Sequence, residues 1–152
     1  MFFRYIIIAF ALLIVLFFAI DSFACGEEGP CPGVEDKGHG HAQLKIMNIT
    51  GGPTVEIPGN IGLRPVMTAN GKSSFCYDAV HTHGNDGTIH FQIGGDNPST
   101  LGMFLTKWGR TDLLLNARVT VDDQPLTTSP MELILQPEME IEIFFHGPPP
   151  SK

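Results

Sequence analysis

Three histidines, His81, His83 and His90, stand close together in the chain and could do metal chemistry. Two β-prone runs carry them, and Asn85-Asp86-Gly87 between the runs is strong turn chemistry. We predict a hairpin closed over residues 84–87, in which His81 lies opposite His90 and shares a strand face with His83. Three imidazoles on one face are one way in which neighbouring antiparallel strands build a three-histidine metal site.

The register of this hairpin decides whether the histidines meet. A shift of one residue would send the rings to opposite faces of the sheet. Histidine is also a common strand residue whose ring is often simply exposed or hydrogen-bonded within a fold. The sequence therefore leaves a second hypothesis open, in which the histidines are structural and the chain is a secreted partner-binding or adhesion module.

A second histidine pair, His39 and His41, precedes a segment with strand-like alternation. If that strand lies beside the hairpin, the pair completes a four- or five-nitrogen site; the alternative is a flexible, solvent-exposed segment. Neutral imidazole binds zinc, copper or nickel, and we predict a divalent transition metal, copper or zinc, as the cofactor. His146 follows the last predicted core residue and is expected to be exposed.

Apolar spacing and turn residues indicate the elements that must position these side chains. Alternation predicts a first hairpin from strands at 42–49 and 54–58, and residues 59–75 are interpreted as a connecting loop. Residues 96–100 have helix-start chemistry, and the apolar spacing after them predicts a helix that stops at Gly109. Three later strands are predicted at residues 115–121, 131–135 and 140–145.

This order of elements suggests an α+β fold. We expect a small mixed β-sheet with one packed helix, in a β-grasp-like arrangement with the histidine hairpin inserted. The competing prediction is an all-β sandwich that the helix merely decorates. In the last strand, Ile141, Ile143 and Phe145 are expected to face the core because they occupy alternate positions.

The 152-residue chain begins with the pattern of a secretory signal peptide. Arg4 is followed by a long apolar run, and Ser22-Phe23-Ala24 offers small residues for cleavage, so we predict that residues 1–24 are removed. The alternative is an uncleaved segment that anchors the protein in a membrane. The rest is predicted to divide into a flexible lead-in, a single globular domain and a tail, at residues 25–38, 39–147 and 148–152.

Export predicts a periplasmic or extracellular location, or the outer face of a membrane, where a disulfide can persist. The chain has three cysteines, so one is left over. If Cys25 is lipidated, which would also anchor the protein, Cys31 and Cys76 could pair; otherwise Cys25 and Cys31 could close a small loop and leave Cys76 free. A net charge of −7 with few basic residues argues against nucleic acid as a partner.

Short motifs follow one another along the predicted domain: His39-x-His41, Ile57-Pro58-x-x-Ile61-Gly62, Cys76-Tyr77, His81-Thr82-His83-x-x-x-Gly87-x-Ile89-His90 and Thr100-Leu101-Gly102-x-Phe104-x-x-x-Trp108-Gly109. Their order resembles a family of exported, largely uncharacterised microbial proteins, over nearly the whole mature chain. The resemblance implies export and a single domain, and it brings no established activity. This sequence departs from the family pattern at Gly84, where an acidic residue is usual, and at Gln92, where a glutamate often follows the third histidine.

Metal binding without catalysis is the first function hypothesis, and an enzyme is less favoured. Asp78 and Asp86 are the carboxylates nearest to the histidines in the sequence. Asp86 is explained as a turn residue, and Asp78 is expected to face away from the histidines, so neither is an obvious general base. A site made only of histidines would release its metal where imidazole protonates, at about pH 6 to 6.5.

Overall fold

Nine β-strands and one α-helix make up the part of the chain that the computed structural model describes, residues 29–35, 38–94 and 96–147. The strands are β1 (Gly29–Pro30), β2 (His39–Asn48), β3 (Leu63–Met67), β4 (Ser73–Tyr77), β5 (Val80–His81), β6 (Thr88–Gln92), β7 (Arg118–Val121), β8 (Gln124–Pro125) and β9 (Glu140–Phe145). Helix α1 spans Leu101–Trp108, and two 3-10 turns span Thr111–Leu114 and Pro130–Glu132.

A six-stranded mixed sheet with the order β5-β6-β2-β9-β7-β8 forms the main layer. Its two central strands, β2 and β9, run parallel to each other, whereas the other neighbours in this sheet are antiparallel. A parallel pair requires a long crossover, and here that crossover contains β3 to β8 and α1. The fold is therefore mixed α+β, as the sequence predicted.

One face of this sheet and the helix share the hydrophobic core. Ile141, Ile143 and Phe145 of β9 are buried, which confirms the predicted alternation. Helix α1 adds an apolar stripe of fully buried side chains, of which Phe104 is the largest. Because the helix contributes so much of the core, it is not a decoration, and the all-β sandwich alternative does not describe the domain.

The helix begins and ends where the sequence predicted. The Thr100 hydroxyl accepts a hydrogen bond from the Met103 N–H at 3.1 Å, which satisfies one of the free N–H groups of the first turn. Gly109 adopts a left-handed conformation, with φ 74°, and its N–H bonds the carbonyls of Leu105 and Thr106. Both ends are thus stabilised locally, by the residue types that such positions favour.

Two predicted strands are wrong. Residues 54–58 form no strand, and a single backbone bond, from the Val55 N–H to the Ile46 carbonyl at 3.3 Å, joins them to β2. Pro53 precedes this segment and Pro58 is its last residue, and proline cannot donate to a ladder. Residues 131–135 are not a strand either. A 3-10 turn starts at Pro130, and Ile134 forms one isolated bridge with Thr100.

The predicted connecting loop at 59–75 contains most of a second, three-stranded sheet with the order β1-β4-β3. A disulfide between Cys31 and Cys76 fastens the short first strand to it, which decides between the pairings that the sequence left open. Part of the predicted lead-in is therefore attached to the fold. The disulfide is consistent with export to an oxidising compartment.

Several predictions concern residues that the structure does not describe. The signal peptide at residues 1–24, the fate of Cys25 and the tail at 148–152 lie outside the described residues and stay predictions. Among the helices of the described part, none has the length and apolar character needed to span a membrane.

Candidate metal centre

The clustered histidines occupy the sheet face opposite the core. Alternation along β2 buries Ala42 and leaves His39 and His41 exposed on the other side. The strand register then sets His41 and His81 directly across from His90, one on each flank. Because β6 lies between β5 and β2, His90 is the centre of the cluster.

The predicted opposition of His81 and His90 is confirmed. The ladder between β5 and β6 ends at His81, however. His83 is therefore not part of β5, although the sequence predicted that both histidines share one strand. His83 lies in the exposed loop instead, and its ring still contacts the rings of His81 and His90.

The ladder stops because Thr82 bonds to residues 58–62 rather than to β6. Its N–H donates to the Ile61 carbonyl at 2.9 Å, and its hydroxyl donates to the Pro58 carbonyl at 2.9 Å. Gly62, with φ 75°, accepts from the Asp78 N–H, and a Cβ there would lie 2.4 Å from the Val80 carbonyl oxygen. This segment therefore holds the chain on both sides of His81.

All five predicted ligands meet in one cluster of rings. The ring centroid of His90 lies 4.5 Å from that of His41, 4.6 Å from His83, and 5.3 Å from both His39 and His81. The rings of His81 and His83 are 4.9 Å apart, and His39 is 5.4 Å from both His41 and His81. The sixth histidine, His146, is exposed after the end of β9, as expected.

Three of these residues form a tighter group suited to one ion. His39, His81 and His90 each offer a ring nitrogen, and these nitrogens lie within 4.8 Å of one another. The Nε2 of His39 and the Nδ1 of His90 are 3.1 Å apart, a distance at which one ring donates a hydrogen bond to the other. The sequence predicted His81, His83 and His90 as the first candidate ligands. In the tight group, His39 takes the place of His83.

His81 is fully buried, and its hydrogen bonding defines its tautomer. Its Nδ1 lies 2.9 Å from the backbone carbonyl oxygen of Asp78. Because a carbonyl only accepts, Nδ1 carries the proton and Nε2 keeps a free lone pair. That Nε2 is buried and has no hydrogen-bond partner among the described residues. A histidine held by a carbonyl at one nitrogen and offering the other is typical of a metal ligand.

Burial and crowding keep two of the rings neutral. Burial, and then the neighbouring His83, His90 and His39, lower the pKa of His81 to about 4, against the opposing effect of the Asp78 carbonyl. Burial and the charges of His83, His41 and His39 lower the pKa of His90 to about 4 as well. Neutral imidazole is the form that binds a metal, so both rings could accept one at neutral pH.

Tyr77 covers the cluster, and sequence analysis missed it as a contributor. Its ring stacks on that of His81, with the centroids 4.7 Å apart and the planes at 24°, and it approaches His39 at 6.1 Å. Tyr77 ends β4 of the second sheet, next to the disulfide-bonded Cys76. No spacing in the sequence could have indicated this contact, because it depends on how the two sheets pack.

The distances between the ring nitrogens can be compared with those in a tetrahedral metal site. Zinc and copper bind imidazole nitrogen at about 2.0–2.1 Å, which places tetrahedral ligand nitrogens roughly 3.3 Å apart. The separation of 3.1 Å between His39 and His90 is close to this value, whereas the outer limit of 4.8 Å in the group requires one ring to close in by about 1.5 Å. His39 is the exposed member of the three, whereas His81 is buried and His90 is half-buried.

The two departures from the family pattern lie on either side of the cluster. Gly84 is in the exposed loop, and Gln92 is paired with His39 across the β2–β6 ladder. Asp86 acts as the predicted turn residue: its carboxylate accepts from the N–H of Thr88 at 3.0 Å and from the Thr88 hydroxyl at 2.9 Å. Among the described residues, the cluster therefore consists of imidazole rings, and no carboxylate belongs to it.

Comparisons with known proteins give no further evidence about this site. Comparison of the chain with protein-family models, with curated proteins and with solved structures gives no match. Any assignment of function therefore depends on the chemistry of the histidine cluster itself.

Proposed function

We propose that this chain is an exported protein that binds copper or zinc through the histidine cluster. The observation that carries the proposal is the buried, unpartnered Nε2 of His81 beside the ring nitrogens of His39 and His90. Leaving a buried nitrogen without a partner costs free energy, on the order of 1–3 kcal/mol. A bound ion would satisfy it.

The donor set favours particular metals. His39, His81 and His90 supply three nitrogens, and His41, His83 or water completes the coordination. Ligand sets rich in imidazole suit copper(II), zinc and nickel, and copper(II) binds more tightly than zinc to a given set. The cluster offers neither the thiolates that favour copper(I) nor the carboxylates that favour magnesium or calcium.

The carboxylates near the cluster favour metal binding without catalysis. The carboxylate of Asp78 bonds Arg64 at 2.7 Å and also Lys107. Burial raises the pKa of Asp78, but Lys107 and Arg64 together outweigh it and lower the pKa below its usual value. Asp86 is occupied by Thr88. Neither carboxylate is available as a general base for a metal-bound water.

The proposal also includes three predictions from the sequence, on export, on the arrangement of the fold and on the family. We infer that residues 1–24 direct export, and the Cys31–Cys76 disulfide supports that inference. The parallel central strands and the helix in the crossover support the β-grasp-like arrangement. Membership of the exported microbial family is proposed on the motifs quoted above alone.

Metal stoichiometry tests the function. The purified protein is dialysed at pH 7.5 against Zn²⁺ or Cu²⁺, and the bound metal is measured. We expect one tightly held ion per chain, lost in His81→Ala and in His39→Ala, and retained in the matched control His146→Ala. Because His39 is exposed, its variant separates loss of a ligand from loss of the fold.

Two outcomes would refute the proposal. One is binding no tighter than micromolar in the wild-type protein, which would favour the structural role of the histidines in a partner-binding module. The other is unchanged binding in both His81→Ala and His39→Ala, since the ion would then be bound outside the cluster.

A further inference from the structure

Two histidines of the cluster lie outside the tight three-nitrogen group and are exposed. They are His41 on β2 and His83 in the loop after β5. Their rings contact that of His90 at nearly equal centroid distances, 4.5 Å and 4.6 Å. A single tetrahedral ion bound by three nitrogens needs only one further ligand, so the cluster has one imidazole more than such an ion uses.

These two rings approach His90 from opposite flanks. His41 faces His90 across the β2–β6 ladder, and His83 follows β5 on the other side of β6. Each also contacts one outer member of the tight group: His41 lies 5.4 Å from His39, and His83 lies 4.9 Å from His81. An ion in the group therefore has an exposed imidazole within reach on either side.

The burial of His81 makes these exposed rings significant. His81 is fully buried, so it cannot follow an ion into solvent, and the ion must leave this ligand for one that reaches into the site. Zinc sites can expand to five-coordinate during reaction. An incoming ligand can then bind before the last protein ligand leaves, with an exposed imidazole holding the ion between the two.

We propose that His41 and His83 are exchange ligands, through which the protein passes its ion to and from an external ligand. This inference rests on the proposed metal binding and narrows it: the protein transfers metal rather than storing it. No bond other than the metal–ligand bonds changes, and the oxidation state of the ion is the same before and after. The acceptor is a second molecule that presents open metal ligands of its own.

Exchange kinetics test this role. The Zn²⁺-loaded protein is mixed in a stopped-flow instrument with increasing concentrations of the chromophoric chelator 4-(2-pyridylazo)resorcinol, and uptake of Zn²⁺ by the metal-free protein is measured separately. For the wild-type protein we expect a release rate that rises with chelator concentration. In His41→Ala/His83→Ala we expect both uptake and chelator-driven release to slow by roughly tenfold or more, with smaller effects in the single variants.

The direction of the release rate separates this role from that of an ordinary ligand. Removing a ligand that only holds the ion weakens the site and speeds release. Removing a ligand through which the ion must pass slows release, even where that ligand also completes the coordination. Faster release from the double variant, or rates equal to those of the wild-type protein, would overturn the inference and leave the proposed metal binding intact. His146→Ala is the matched control, because it removes an exposed histidine outside the cluster. If the stoichiometry measurement finds no bound ion, both proposals fail.

Discussion

The buried His81 should make the metal-free protein lose stability in mildly acidic solution. In the folded chain its pKa is about 4, whereas an exposed histidine has a pKa of about 6.5. Above pH 6.5 the ring is neutral in both states and adds no pH dependence. Between pH 6.5 and 4 the unfolded chain takes up a proton that the folded chain does not, so the free energy of unfolding falls as the pH falls.

The size of this effect follows from the difference between the two pKa values. One pKa unit corresponds to about 1.4 kcal/mol, so the full contribution of His81 is on the order of 3 kcal/mol between pH 6.5 and 4. His90 changes stability in the same direction, because its pKa is also lowered to about 4. For a domain whose total stability is about 5–15 kcal/mol, such a loss is easily measured.

Urea denaturation at pH 7.5 and pH 4.5, with chelator present throughout, measures the effect. We compare the wild-type protein with His81→Leu, which cannot take up a proton at this position, and with His146→Leu as an exposed control. The wild-type protein and the control should lose more stability on acidification than His81→Leu does. An equal loss in all three proteins would refute the reasoning, because His81 would then not be held neutral by the fold.

Three further predictions concern the cluster and its support. Because His81 and His90 resist protonation, bound Zn²⁺ should stay on the protein in a pH titration with a metal indicator well below the pH of about 6 to 6.5 expected from the sequence. Tyr77→Ala should weaken Zn²⁺ binding by up to about tenfold in competition titrations, because stacking on His81 contributes about 0.5–1.5 kcal/mol, whereas Tyr77→Phe should retain it. Replacing Cys31 and Cys76 by serine should lower the free energy of unfolding by about 4 kcal/mol in urea denaturation, since the bridge closes a loop with a separation of 45 residues.

Each of these predictions has a result that contradicts it. Release of zinc with a midpoint at pH 6 to 6.5 would show that ordinary imidazoles control binding. Equal affinities for the alanine and phenylalanine variants of Tyr77 would mean that the stacked ring does not position His81. Unchanged stability without the disulfide would mean that the second sheet holds its first strand by other contacts.

Local patterns were sufficient to predict the helix, the last strand and the pairing at the centre of the site. The Thr100 cap, the apolar stripe of α1 and Gly109 act within one or two turns, so nearby residues decide them. The opposition of His81 and His90 likewise depends on a short loop and on the period of two along a strand. These features require no knowledge of the rest of the fold.

The wrong strand predictions have the opposite cause. Residues 54–58 and 131–135 have suitable side chains for strands, but prolines beside or within them remove ladder donors, and no neighbouring strand pairs with them along their length. The missed strands β3 and β4 show no clean alternation in the sequence. They form because they pair with each other and are tied to the first strand by a disulfide.

The alternate spacing of the histidines and the turn between them could be predicted from the sequence alone, because both depend on local backbone geometry. The tertiary fold, by contrast, sets β2 beside the hairpin, so that His39 takes the place of His83 in the tight group. It also decided that His81 is buried beneath Tyr77 with one nitrogen held by a backbone carbonyl. Burial, ring contact and pKa depend on residues far apart in the chain, because these residues meet only when the two sheets pack together.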